Sequence, residues 1–539
     1  MAALALSAEA QSTFTRVAQI LQSNCTGAGC HGALNPQAFD LSGTQQQVYT
    51  ALVNVNCTNA AAASKGHKLV SPGYPARSFL LRKIANGLSA ELALDASEGD
   101  ACPKNAAPLA NAEIELVRQW IMFGCLQTGQ VVSEQTLIDF YSGKALPEIE
   151  APPVPPEGQG FQVHDGPIFL LPGEEREFLW KYNTRLSGTT EVTRLQAFLS
   201  PQSHHYILYK YNPGYGSNVQ EGHKRVDALQ DQFEVQFNAS TIATWQYNRD
   251  HQLPEGTAYF WEAGAVLSSN FHVRNYDNDS ILAAHVYLNV YTQPYGSGAV
   301  EMFSTLAVYG EFNPFSLTIP NSGVNEVISF EQTIPETWHI WILQAHTHKL
   351  GRDYDVFLRN SNGSKGEQVY EGWFDYERNF NRGYYDFSHP PVREFSPLLE
   401  VDMRQGLIHE ATYFNDGPAP VGFGLTTSDE MFITYMHYTK AMPTGIRDVM
   451  HADNGVSIYP NPVDGQFNVT YRMPEAGNVR IELFDMSGQR LLLLKSERQS
   501  TGTHQETFDV AALRLSGGIY VMKISSGQFT AFEKIMVAR

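Results

Sequence analysis

WILQAHTHKLGRDYDVFLRN, residues 341–360, sets two histidines one residue apart inside an apolar, aromatic run bounded by charges. Side chains alternate across a pleated strand, so in a strand His346 and His348 project from the same face. Similar alternating runs recur outside this stretch: REFLWKYNT at 176–184, HHYILYKYN at 204–212 and AAHVYLNVYT at 283–292, broken by Gly, Pro and Asn. Short alternating runs separated by turn residues predict antiparallel β-sandwiches. The 26 Tyr and 30 Phe among 539 residues favour strands as well.

A chain of this length predicts about three or four domains. The net charge of −19 excludes nucleic acid and anionic membrane as partners, since both call for a basic surface. No apolar run has the length of a membrane span, so no transmembrane segment is expected. Residues 1–10, MAALALSAEA, read as the remnant of a secretory signal or as a plain flexible terminus. The proline-dense ALPEIEAPPVPPEGQG at 145–160 lacks apolar periodicity and predicts an extended linker over 129–162.

All five cysteines, Cys25, Cys30, Cys57, Cys102 and Cys125, lie in the first quarter, so the region 11–128 has chemistry of its own. LQSNCTGAGCHGALNPQAFDLSG at 21–43 brings Cys25 and Cys30 together with His31 next to the second. Two nearby thiols suit the thioether bonds of haem c, and an adjacent histidine falls onto the iron as axial ligand. The spacing is C-x4-C-H rather than the usual C-x-x-C-H, which leaves a disulfide loop or a zinc site open. LVSPGYPARSFLLRKI at 69–84 and PLANAEIELVRQWIMFGC at 108–125 resemble the small α-helical c-type cytochrome domains of secreted bacterial enzymes. Where those domains carry Met-Pro for the sixth ligand, this chain has Cys102-Pro103, so Cys102 and His67 both stand as candidates.

Further histidines collect around the opening stretch. His204 and His205 lie in SPQSHHYILYKYN, His272 in LSSNFHVRNYDND, and Met431 in TTSDEMFITYMHYTK. Adjacent residues of a strand point to opposite faces, so His204 and His205 need a bulge to share a ligand. His285 and His437 read as core or surface histidines, and Met436 is a rival to Met431. The order of these segments resembles the copper type II ascorbate-dependent monooxygenases, the family of dopamine beta-monooxygenase and peptidylglycine alpha-hydroxylating monooxygenase. The resemblance implies two consecutive β-sandwiches, at 163–300 and 301–443. It implies an electron-transfer copper on His204, His205 and His272, and an oxygen-activating, catalytic copper on His346, His348 and Met431. Thioether favours copper(I), which agrees with Met431 in the oxygen site. The resemblance also places Gln344 and Tyr435 near the substrate, Gln344 where amidating members carry a carboxylate-gripping arginine.

The reaction so implied is hydroxylation of a C–H bond of a small organic substrate by O2, with electrons from ascorbate, another external reductant or the fused haem c domain. Two other classes remain: a surface metal-binding or electron-relay protein without catalysis, and a zinc hydrolase. Beyond a linker at 444–455, SIYPNPVDGQFNVTY, VRIELFDMSGQRL and LSGGIYVMKISSGQFTAFEKIMVAR carry a seven-strand, Ig-like pattern over 456–539. They closely resemble the C-terminal sorting domain of type IX secretion, through Tyr459–Pro462, Asp485–Gln489 and Gly518–Tyr520. That resemblance implies the type IX machinery as partner and a secreted or cell-surface protein.

Overall fold

The computed structural model describes residues 11–27, 30–32, 39–227, 231, 235, 238–245, 248–310, 313–372, 390–424, 428–443, 456–459, 461, 463, 465–473, 476–484, 490–526 and 529–537. The leader-like residues 1–10 and the Asp485–Gln489 motif lie outside them. The protein is mainly β, with 47% strand and 15% helix. Residues 1–441 make one compact unit and residues 442–539 a second. No helix among the described residues is long and apolar enough to cross a membrane.

The first unit opens with helices α1 (Thr13–Cys25), α2 (Gln45–Leu52), α3 (Ala60–Ser64), α4 (Phe79–Ile84), α5 (Asn111–Met122) and α6 (Glu134–Asp139). Helix α1 begins where Ser12 Oγ accepts the Thr15 N–H at 3.2 Å, which satisfies one of the open donors of its first turn. Phe14, Val17, Ile20 and Leu21 recur at helical spacing and are buried, with Phe14 stacked on Trp120 of α5 at 5.1 Å. The region expected as a linker, 129–162, begins with α6 and runs without helix or strand over 146–159. At its start Leu137 of α6 enters the helical core, and Phe140 packs on Ile281 and Ala283. The prolines that follow keep their carbonyl acceptors, and Pro152 O and Pro153 O receive Gln162 Nε2 at 3.1 Å and Asn289 Nδ2 at 3.0 Å.

Ten strands follow: β1 (Gly160–Leu170), β2 (Glu175–Asn183), β3 (Thr190–Leu199), β4 (Ser203–Tyr211), β5 (Gly222–Arg225), β6 (Ala239–Trp245), β7 (Arg249–Gln252), β8 (Thr257–Trp261), β9 (Val266–Arg274) and β10 (Leu282–Pro294). Ten more complete the unit: β11 (Val300–Val308), β12 (Thr318–Ile319), β13 (Asn325–Gln332), β14 (Thr337–His346), β15 (Gly351–Arg359), β16 (Lys365–Glu371), β17 (Val392–Asp402), β18 (Leu407–Phe414), β19 (Val421–Gly422) and β20 (Ile433–Thr439). One sheet runs β1-β10-β3-β8-β11-β20-β14-β17, with β7 paired to β3. A five-stranded sheet, β5-β2-β9-β4-β6, accompanies its first half, and β13-β18-β15-β16 its second. The two halves join through a short parallel pairing of β8 with β11, Thr257 to Val300 and Ala258 to Glu301. Among the described residues the paired strands named here run antiparallel except at this junction.

The second unit has strands β21 (Val456–Tyr459), β22 (Gln466–Met473), β23 (Gly477–Phe484), β24 (Arg490–Gln499), β25 (Gly502–Asp509), β26 (Gly518–Ser526) and β27 (Phe529–Val537). They form the sheets β21-β22-β25 and β24-β23-β26-β27, and Phe467, Val469, Tyr471, Ile481, Leu483 and Ile524 supply a common core.

The helical part meets the first sandwich backbone against backbone. Gly73 and Gly222 both have left-handed φ, +82° and +84°, and a Cβ on Gly222 would stand 2.1 Å from Met122 O and 2.7 Å from the Gly73 Cα. Only glycine fits such a contact, because both the φ and the space exclude a side chain. Gly222→Ala should therefore lower stability by about 3 kcal/mol in urea unfolding, while Gly173→Ala should cost only about 1 kcal/mol. Gly173 has a similar φ of +71° but nothing within 4 Å of an added Cβ.

Candidate metal centre

Strands β4 and β9 pair antiparallel, with His205 opposite His272, and the register slips between Ser203 and His205. That bulge breaks the alternation that would send His204 and His205 to opposite faces. The ligand atoms of His204, His205 and His272 lie within 4.8 Å of one another, and the ring centroids are 4.6 to 5.5 Å apart. Sequence reasoning asked for a bulge here, and the bulge is present.

Partners behind the rings set their tautomers. Glu177 only accepts, so the 2.7 Å contact with its Oε1 is made by Asn270 Nδ2, which turns Asn270 Oδ1 toward His205. His205 Nε2–H then donates to that oxygen at 2.7 Å, leaving Nδ1 with its lone pair. His272 Nε2–H likewise donates to Glu175 Oε1 at 2.8 Å, and its Nδ1 is a lone pair too. The Nδ1 atoms of His204 and His205 stand 3.4 Å apart. Burial, then His272 and His204, hold the His205 imidazole well below its usual pKa, so it stays neutral and able to ligate. Three clustered imidazoles, two of them fixed by an amide and a carboxylate behind them, are a donor set for a transition metal. Sequence reasoning missed Asn270, Glu175 and Glu177, although Asn270 shares its strand face with His272 by simple alternation.

The second set forms where β14 meets the approach to β20. Their register ends with His346 opposite Ile433. Glu430 closes this corner, its Oε2 accepting the N–H of His348 at 3.0 Å and of Met431 at 3.2 Å, and its Oε1 that of Leu350 at 2.7 Å. Burial pushes the Glu430 carboxyl up to about 7 despite these three bonds. His348 Nδ1–H donates to the Asp429 carbonyl at 3.1 Å, so Nε2 carries its lone pair. The His346 and His348 rings stand edge to face at 5.2 Å. Met431 is half-buried, whereas its rival Met436 is fully buried in the apolar core of the second sandwich.

The two sets feel each other. Burial and His348 lower the His346 pKa well below its usual value, and His204 of the first sandwich adds to the effect. Between them Thr244 Oγ1 of β6 donates to Gln344 Oε1 of β14 at 3.0 Å. Gln344 and Tyr435 are cross-strand partners, both buried, with the Tyr435 ring 6.3 Å from His346. His285 and His437, read as core or surface histidines, are both buried: His285 Nε2 meets Glu148 Oε2 at 2.8 Å and its Nδ1 meets His164 Nε2 at 3.0 Å, while His437 Nδ1 meets Tyr259 Oη at 2.8 Å. The Tyr259 pairing went unread because the two partners come from strands far apart in the chain.

In the helical part Cys25 ends α1, and His31 N–H returns to Cys25 O at 2.9 Å. Burial, with Cys102 and Cys30 nearby, pushes the Cys25 thiol up to about 11. The third thiol at this place is thus Cys102, while His67 lies beside Glu98, 3.8 Å away. The His31 ring stacks on Phe39 at 4.1 Å, and its Nδ1 is buried without a hydrogen-bond partner. A pair of close thiols, an imidazole with an open nitrogen and an apolar surround fit the needs of a covalently held haem.

Asp353, Asp355 and Glu371 form a separate carboxylate group on β15 and β16. Burial and neighbouring carboxylates raise Asp353 to about 6 and Asp355 to about 7.

These features define a mainly β protein with a helical part in front. Residues 457–538 match the family described as Secretion system C-terminal sorting domain. The chain carries a type IX secretion sorting domain and is exported to the cell surface or the extracellular space. No curated protein matches the chain. Among solved structures it is similar to the major capsid protein P2 of bacteriophage PM2, at 9% identity and a TM-score of 0.25, covering 53% of this chain and 100% of that one. A Bacteroides uniformis beta-glucuronidase gives 10% identity and a TM-score of 0.13, covering 40% of this chain and 27% of that one. The adhesin domain of Epf from Streptococcus pyogenes gives 11% identity and 0.12, covering 44% and 77%. Scores this low carry no argument.

Asn270→Ala should weaken metal binding at His204, His205 and His272 by about 10- to 100-fold in a competition titration, because His205 loses the partner that fixes its tautomer. Unfolded Asp355 would release its proton near pH 4, but the folded group holds it to about 7. The unfolded chain thus sheds the proton first, and this contribution to stability declines as pH rises across that window. Asp355→Asn should therefore raise the melting temperature at about pH 8 and leave it unchanged at about pH 4.

Proposed function

We propose that the protein is a secreted dicopper monooxygenase that hydroxylates a C–H bond of a small organic substrate. What supports this reading most is the pairing of two unlike donor sets on adjoining sandwiches, three imidazoles in one and two imidazoles with a thioether in the other. In this reading His204, His205 and His272 hold the electron-transfer copper through Nδ1, and His346, His348 and Met431 hold the oxygen-site copper, His348 through Nε2. Copper in the two sites would supply one-electron transfer and the activation of O2, one oxygen atom entering the substrate and the other leaving as water. Asn270 and Glu175 keep the first imidazoles in the ligating tautomer, and Glu430 holds Met431 beside His348. Gln344 in place of a cationic side chain disfavours substrates gripped by a terminal carboxylate.

The helical part is read as a cytochrome c-like module, with Cys25 and Cys30 attaching haem c and His31 on its iron. Such a haem would supply stored electrons beside or instead of ascorbate or another external reductant. A second reading, a surface electron relay without hydroxylation, draws on the Thr244–Gln344 hydrogen bond, which fills space next to His346. Zinc hydrolysis is the weakest of the three, since thioether is a poor zinc ligand.

The exported chain, loaded with copper and supplied with reductant, should contain two coppers and one haem and should consume O2. Met431→Ala should reduce O2 consumption by about 100-fold while His204, His205 and His272 keep their copper, read by paramagnetic resonance. A haemochrome spectrum should vanish in Cys30→Ser. Two coppers without any O2 consumption would favour the relay, and zinc in the isolated chain would overturn both copper readings.

A further inference from the structure

A cavity of about 450 Å³ lies between the helical part and the first sandwich, away from both histidine sets. Its charged lining is Lys68, Arg77, Arg185 and Glu221, three cations against one carboxylate in a chain whose net charge is −19. The carboxylate is already engaged, since Glu221 accepts from Lys181 Nζ at 2.8 Å and from Tyr74 Oη at 2.8 Å. The cations are less so. Arg77 Nη2 donates to Tyr182 Oη at 3.0 Å and to Asn183 O at 3.1 Å, but its Nη1 is buried without a hydrogen-bond partner. Arg185 Nη1 reaches the Gly66 carbonyl at 3.4 Å, a long contact. Partial desolvation and the neighbouring Arg77 guanidinium lower the Arg185 pKa, outweighing the opposing effect of Glu221.

The backbone is unusual at the same place. Asn54 and Arg185, both in the cavity's lining, have left-handed φ, 62° and 57°. Such strain persists where the surroundings over-determine it, as they do at binding sites. Tyr49, Val53 and Pro72 add apolar wall, and the volume falls in the range of small-molecule sites rather than that of a bare oxyanion.

We propose that this cavity binds a small organic anion, a carboxylate on a flat ring, with Arg77 and Arg185 on the carboxylate and the tyrosine and proline wall against the ring. Because Arg77 comes from the helical part and Arg185 from the sandwich, the ligand bridges the two and ties them together. Fork-shaped guanidinium groups suit a carboxylate better than a single ammonium does.

Calorimetric titration of the full chain with 4-hydroxybenzoate tests the proposal, with 4-hydroxybenzamide as the neutral counterpart and inorganic phosphate as the bare oxyanion. The carboxylate should bind saturably, and the amide at least about tenfold more weakly. Arg185→Gln should weaken carboxylate binding to a similar degree without changing the ligand-free melting temperature, since Arg185 sits exposed in a loop. Arg77→Gln should do the same and offers a second reading of the carboxylate contact. Equal binding of acid and amide, indifference to both substitutions, or phosphate binding as tight as the carboxylate would each overturn it.

Discussion

Two imidazoles on consecutive residues of a strand can serve one ligand only if the pleat is broken between them, and the slip between Ser203 and His205 does this. The third imidazole follows from it, because the corrected register sets His272 directly across from His205. What the backbone brings together, the partners behind it orient. Glu177, Asn270 and His205 form a chain in which each group leaves the next one choice of donor, and the chain ends on a lone pair facing the other rings. Such a fixed polar network is worth its burial only when every member is satisfied, as here.

The second histidine set depends on a different device. No bulge is needed, since His346 and His348 alternate onto one face, but the strand ends at His346 and the chain must be held beyond that point. Glu430 does so with its two oxygens, binding three backbone N–H groups from both sides of the corner. Its position next to Met431 in sequence means that the same residue that anchors the corner also brings the Met431 backbone to it. The short β8–β11 pairing and the Thr244–Gln344 hydrogen bond then bring this corner toward His204 and His205.

Much of this was legible. Alternation revealed the strands of both halves of the first unit, and the spacing of His346 and His348 placed them on one face. The need for a distortion at His204 and His205 was readable because period-two geometry admits no other solution. The parallel β8–β11 junction was not, as each strand looks the same whichever direction its neighbour runs. The prolines before the first sandwich gave no hint of what ties that stretch down: Leu137 and Phe140, upstream of them, and carbonyl acceptors that proline retains. Asn270, Glu175 and Glu177 were hidden for another reason: polar residues on strands usually face water, and only the register shows that these face imidazoles.

The glycine seam between the helices and the sandwich has a consequence for how the first unit comes apart. Side-chain interfaces can loosen gradually, one rotamer at a time, but main chain set against main chain has no partial state to occupy. Release of the helices from the strands is then all-or-none. A molecule sent outside the cell, beyond the reach of intracellular chaperones, keeps its two halves together without any covalent staple between them.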